Sequence, residues 1–427
     1  MRLFILFSLL TANTYATLDI QQWVTPEGAK VLFVQTKGLP MLDITLNFDA
    51  ASARDGEQYG VASLTNSLLG TATPYHNEEQ IINAFESVGA QFEQSSLKDM
   101  SIVSLRTLTR APILRKSIAT LSEVIAQPVF EQKQLTRAKR QTLQSIKAAQ
   151  QSPAQVASQA FNAAVFAQHP YAHNTLGTED SIKNISISDL KRHYQQFYVA
   201  KNLTIALVGD VSRAKAKQIA RQISHGLNIG TKAKHNPSVM PLTQSANIHI
   251  DFPSKQTHLF IGQVGINRTH PDYYALYLGN HIFGGSGLTS ILYNEIREKE
   301  GLAYSVASYF AKMKSKGYFL INLQTKNEQV GEAQNIAIQS LDYFINNLID
   351  EQKLEDGKAN IIGGFALKTA SNANIVTYLS IIGFYNLPLD YLSSFNDKIK
   401  PINAQDIKNA FGRLIDMGKL IVLTVGK

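Results

Sequence analysis

The feature that most constrains this chain is an internal repeat. Ile185-Ser-Ile-Ser-Asp189-Leu-Lys is echoed by Ile402-Asn-Ala-Gln-Asp406-Ile-Lys. Each segment opens a helical apolar pattern that leads to a strand ending in glycine, Leu203–Gly209 in one case and Leu420–Gly426 in the other. Asp189 to Gly209 and Asp406 to Gly426 both span 20 residues, at an offset of 217 (406 − 189). A second pair of segments lies at almost the same offset. The alternating runs Ile44–Phe48 and Leu259–Val264 read as half-buried strands, and each precedes a helix, Tyr59–Gly70 and Tyr274–Gly285, shifted by 215. Several ordered matches at one offset mean a tandem duplication of domains of roughly 200 residues, well within the usual domain size.

Strands and helices come in runs rather than strict alternation. The expected class is therefore α+β, two tandem homologous domains, each an antiparallel sheet packed with helices. Predicted helices include Glu78–Val88, with Asn77 as N-cap and Gln80 closing a capping box, and also Pro112–Ile125, Glu131–Gln150 and Asp189–Phe197. Leu227–Thr243, with Gly230, Pro237, Pro241 and scattered lysines, reads as the joint. The expected boundaries are 17–226 for the first domain, 227–243 for the linker and 244–427 for the second. Residues 1–16 read as a secretory signal. Arg2 precedes the apolar run Leu3–Leu10, which is too short to span a bilayer, and cleavage is expected after Ala16. The implied location is periplasmic or secreted, with no membrane anchor.

Composition narrows the chemistry. The chain has no cysteine, which removes disulfides, thiolate metal sites and a cysteine nucleophile. The formal charge of +8 comes from 41 basic and 33 acidic residues without a basic stripe, so nucleic acid is not an expected partner. The densest basic cluster, Arg137-Ala-Lys-Arg140, reads as a solvated helix face. His169 and His173 are four apart, but Pro170 and Gly177 place them in a loop. His76, beside Glu78 and Glu79, belongs to a helix start. The glycines at 284, 285 and 287 lack the Gly-Lys-Ser/Thr sequel of a phosphate loop, and there is no Gly-x-Ser-x-Gly elbow.

Two segments carry a family resemblance. Gly60-Val-Ala-Ser63-Leu-Thr-Asn66-Ser67 and Arg297-Glu-Lys-Glu-Gly301-Leu-Ala-Tyr304 resemble the pitrilysin/insulinase-type zinc peptidases, the inverzincins, and most closely their half-size members. In that family the first helix reads G-V-A-H-x-x-E-H, with two His on zinc and the Glu activating water. Here Ser63, Asn66 and Ser67 stand at those three positions. Hydroxyls and a carboxamide neither ligate zinc usefully nor take a proton from water. The distal ligand position falls at Gln144 or Ser145, and no Asp or Glu occurs between Glu131 and Glu179. No metal is therefore expected on this chain.

The second half keeps the family's R-E-x-x-G-L-A-Y segment, although Ile291 stands where the family often has Arg. The resemblance implies that Arg297 and Tyr304 hold the substrate backbone and stabilise charge on the scissile carbonyl of a zinc site built elsewhere. The implied protein is the non-metal subunit of a heterodimeric zinc peptidase. Its partner would be an H-x-x-E-H-bearing homologous subunit that holds the zinc, and its substrates would be unfolded peptides. The other reading is a catalytically inert peptide-binding or assembly protein of the same fold.

Overall fold

The structure, a computed structural model, describes residues 18–427. The expected signal segment lies outside these residues. In the first half, β1 (Gln21–Val24), β2 (Lys30–Gln35), β3 (Met41–Phe48), β4 (Gln91–Ser96), β5 (Ser101–Leu108) and β6 (Leu203–Gly209) form one sheet. In the second, β7 (Ala246–Asp251), β8 (Gln256–Val264), β9 (Ala303–Ala311), β10 (Tyr318–Lys326) and β11 (Ile421–Gly426) form another. The orders are β1-β2-β6-β3-β5-β4 and β7-β11-β8-β10-β9. Without β1 the two are the same. The duplication holds to the level of register: Asp43 faces Val208, and His258 faces Val425. Those are the 215 and 217 offsets of the sequence.

Each sheet is antiparallel except for one parallel pair, β2 with β6 and β7 with β11. The closing strands β6 and β11 are apolar and enter between earlier strands, so they are buried on both faces. Asn77 does cap its helix, with the reciprocal Gln80 bond in place, and the helix runs Glu78–Glu86. The other predicted helices appear as Ala111–Ala126, Gln132–Gln150 and Ile187–Phe197.

The halves are interlocked by an exchange of helices. Helix Pro153–Phe166, from the first half, packs on β8 and β11 of the second sheet. Its duplicate, Asn372–Tyr385, packs on β2, β3 and β6 of the first. Phe161 is fully buried, with its ring 6.0 Å from that of Phe260 and 5.4 Å from that of Tyr318. Burying one such side chain contributes roughly 1.5–3 kcal/mol. On the other side, Asn47 Nδ2 donates to Ser380 O at 3.2 Å, and Lys30 Nζ donates to Gly383 O at 3.0 Å. Glycine at 383 permits this approach, since a Cβ there would lie 2.5 Å from Leu32 and Thr204 side chains.

The contact between halves also has a polar centre. Asp99 accepts from Tyr171 Oη at 2.5 Å, from Lys314 N at 2.8 Å and from Tyr385 Oη at 3.3 Å. Burial raises its carboxyl above the usual range despite these donors. Burial pushes Asp49 the same way, but Arg54 and Lys314 pair with it and hold it below the usual range. Residues 227–245 contain no regular element, yet they are pinned to the first half. Ala200 N donates to Asn228 O, and His169 Nε2 lies 2.9 Å from Pro237 O.

Candidate functional site

The helix that aligns with the family's metal motif is short, Val61–Ser67. Gly60 precedes it with φ +94°, and a Cβ there would lie within 2.7 Å of Leu176 O, so only glycine enters the helix this way. Asp55 satisfies the helix start from a distance, accepting from Gly60 N at 2.8 Å and Ala62 N at 2.9 Å. His173 Nε2 lies 3.1 Å from Asp55 Oδ2. His169 is buried and accepts from Tyr171 N. His173 is thus committed to the start of this helix, and His169 to the segment around Tyr171 and Pro237.

Asn66 is 1% exposed, and its carboxamide is spent at both ends. Its Nδ2 donates to Ser95 O at 2.9 Å and Ile102 O at 3.3 Å, tying the helix to the β4–β5 hairpin. Its Oδ1 accepts from the buried Tyr198 hydroxyl at 3.0 Å. Ser67 Oγ donates back to Leu64 O, and Ser63 is half-buried. Gln144 and Ser145 are exposed on helix Gln132–Gln150, where Ser145 Oγ bonds Gln141 O. This donor set does not fit a zinc ion. It offers no imidazole or carboxylate, and its one buried oxygen is already occupied. Among the described residues no three His, Asp or Glu side chains cluster as a metal site.

The second half presents a different picture. Arg297 lies in the π-helical turn Asn294–Lys299, and Tyr304 is the second residue of β9, the edge strand of its sheet. The structure brings the two together. Arg297 Nη1 donates to Tyr304 O at 2.7 Å, and the guanidinium lies 4.5 Å from the Tyr304 ring centroid. The Tyr293 ring lies 4.9 Å away, so the guanidinium is held by two aromatic rings. It has no carboxylate partner among the described residues, and the nearby Glu295 pairs with Lys299 instead. Tyr304 is 76% exposed rather than packed into the sheet. The Tyr304 side chain is therefore presented to solvent beside a half-buried guanidinium that its own backbone carbonyl holds in place. Tyr293 lies outside the family motif. Its spacing of four from Arg297, which puts the two on one helix face, was the available signal.

Comparison with known proteins agrees with the motif reading. The family profile described as Insulinase (Peptidase family M16) matches residues 30–179, and that described as Peptidase M16 inactive domain matches residues 184–361. The chain is similar to a peptidase M16 inactive domain of known crystal structure from Pseudomonas fluorescens. The two share 38% identity at a TM-score of 0.93, over 96% of this chain and 98% of that one. It is also similar to a Helicobacter pylori protein named "Non-peptidase homolog YmxG", at 25% identity over 94% of this chain and 91% of the relative. A Bacillus subtilis relative named "Uncharacterized zinc protease YmxG" is 21% identical over 83% and 84% of the two chains. The chain belongs to the insulinase (M16) peptidase family, as a member whose Val61–Ser67 helix carries neither imidazole nor carboxylate.

Proposed function

We propose that this chain is the non-metal subunit of a two-chain zinc peptidase. The partner, a homologous subunit with an intact H-x-x-E-H helix, holds the zinc and the water-activating glutamate. This chain supplies Arg297 and Tyr304 to the bound peptide. The observation that carries the reading is an asymmetry. Asn66 is consumed by structural bonds on one half, while on the other Arg297 and Tyr304 have no acidic partner among the described residues. Guanidinium and phenol suit the task, because both donate to an oxyanion without changing protonation state.

The complex acts outside the cytoplasm, with the mature chain starting at Thr17. No helix of the described residues is long and apolar enough to cross a membrane. A second reading, an inert peptide-binding or assembly protein, draws on the printed name of the Helicobacter pylori relative. Co-expression with an H-x-x-E-H homologue separates the two. A 1:1 complex with chelator-sensitive peptidase activity, absent from this chain alone, supports the first. A partner fully active alone, with sedimentation unchanged on mixing, supports the second.

A further inference from the structure

A cavity of about 610 Å³ opens in the second half beside helix Tyr273–Asn280, the turn Ala366–Thr369 and helix Asn372–Tyr385. Arg268, Lys312 and Lys368 converge on it among tyrosine and phenylalanine rings, and no Asp or Glu among the described residues lines it. Lys368 Nζ donates to Tyr277 Oη at 2.8 Å. The Lys312 ammonium lies 5.0 Å and 5.3 Å from the Tyr273 and Tyr277 ring centroids, and has no hydrogen-bond or ion-pair partner among the described residues. Arg268 Nε is buried with no hydrogen-bond partner among the described residues, and its guanidinium lies 4.5 Å from the Tyr385 ring.

Three cations gathered without a counter-charge are costly, and burying donors unpaired adds to the cost. Burial first, then the like charges of Arg268 and Lys368, push the Lys312 ammonium down to about 8. An arrangement that opposes folding in this way has a simple use if a ligand brings the missing negative charge.

The cavity's position says what kind of ligand. A smaller cavity of about 160 Å³ shares Tyr273, Tyr277 and Lys312 with the first and continues to Tyr309 on β9. Pairing of β9 with β10 gains one extra residue between Ala303 and Val306, a bulge that leaves both Tyr304 and Ser305 exposed. Beyond it, exposed Tyr309 alternates with buried Ser308 and Phe310, so Tyr304 and Tyr309 share the outer face of the edge strand. Five residues of strand cover about 16 Å. An extended peptide at Tyr304 therefore reaches the cationic cavity within about five residues.

We propose that the cavity formed by Arg268, Lys312 and Lys368 is a subsite for a peptide carboxylate, either an acidic side chain or the peptide's own C-terminus. This rests on the reading that the chain handles peptides, not on the two-chain assembly. Isothermal titration of the full mature chain, without a partner, tests it with three N-acetylated hexapeptides. One carries a central glutamate and an amidated C-terminus, the second has glutamine in its place, and the third is the glutamine peptide with a free C-terminal carboxylate. At least one carboxylated peptide should bind tenfold or more tighter than the neutral one, and which of them does so identifies the source. The Arg268→Gln/Lys312→Met variant should abolish that preference and leave the neutral peptide's affinity unchanged. Arg268→Lys alone, which keeps the charge but loses the fork, should give an intermediate preference. Equal binding of all three peptides would overturn the subsite while leaving the peptide reading intact, and so would a preference that survives in the double variant. No binding by any of them would overturn both.

Discussion

At the scale of single residues, the question is which polar groups are structural and which are free to act. Asn66 belongs to the first kind, with three hydrogen bonds in a buried setting. Asn66→Ala would strand two backbone carbonyls and the Tyr198 hydroxyl, and should cost about 1–3 kcal/mol in urea unfolding. Ser67→Ala, an exposed change, should stay within about 0.5 kcal/mol, and so should Ser63→Ala, which removes a half-buried hydroxyl. Lys312 is the opposite case, a charge the fold would be more stable without. Its folded value of about 8 lies below the ordinary lysine value of 10.5, and Lys98, desolvated but partly offset by Asp55 and Asp99, is lowered to the same figure. Between pH 8 and about 10 the unfolded chain therefore binds more protons, and stability should rise with pH. Lys312→Met should raise the melting temperature at pH 7 and flatten that rise. A lower melting temperature, or an unaltered slope, would contradict this.

Elements show how much was legible from the residues alone. Order and approximate bounds were readable because periodicity, capping and duplication all pointed the same way, as at Asn77 and at the paired strands ending in Gly209 and Gly426. The exchange of helices was not readable. Asn372–Tyr385 is apolar nearly all round, which says that it is buried but not against which sheet. The π-turn that aims Arg297 at Tyr304 O has no composition signature either. The wiring of Asn66 to Ser95, Ile102 and Tyr198 joins positions that local pattern cannot connect. Close packing of the exchanged helices has a direct test. At Gly262 an added Cβ would lie 2.1 Å from Phe319 O and 2.8 Å from the Phe161 ring, whereas at Gly383 it meets only side-chain ends. Gly262→Ala should therefore lower the urea midpoint more than Gly383→Ala, because a ladder carbonyl cannot move aside as a methyl can.

For the whole molecule, the duplication has produced two sheets of like topology with unlike fates. Exchanged helices and the Asp99–Tyr171–Tyr385 contact bind the halves into one body. Within it, the Val61–Ser67 helix of the first half carries neither imidazole nor carboxylate, and the second half presents Arg297 from a π-turn and Tyr304 from an edge strand beside a cationic cavity. Under the proposed function, another chain contributes the metal. The most direct measurement is steady-state peptide cleavage by the reconstituted two-chain complex with wild-type chain or with Tyr304→Phe. The substitution keeps the ring that contacts Arg297 and removes one hydroxyl donor. Turnover should fall roughly a hundred- to thousandfold, as when an oxyanion donor is lost, with chain association unchanged and kcat carrying the effect. Wild-type turnover by the Tyr304→Phe complex, or full activity of the metal-bearing partner alone, would contradict the proposal that this chain completes the active site.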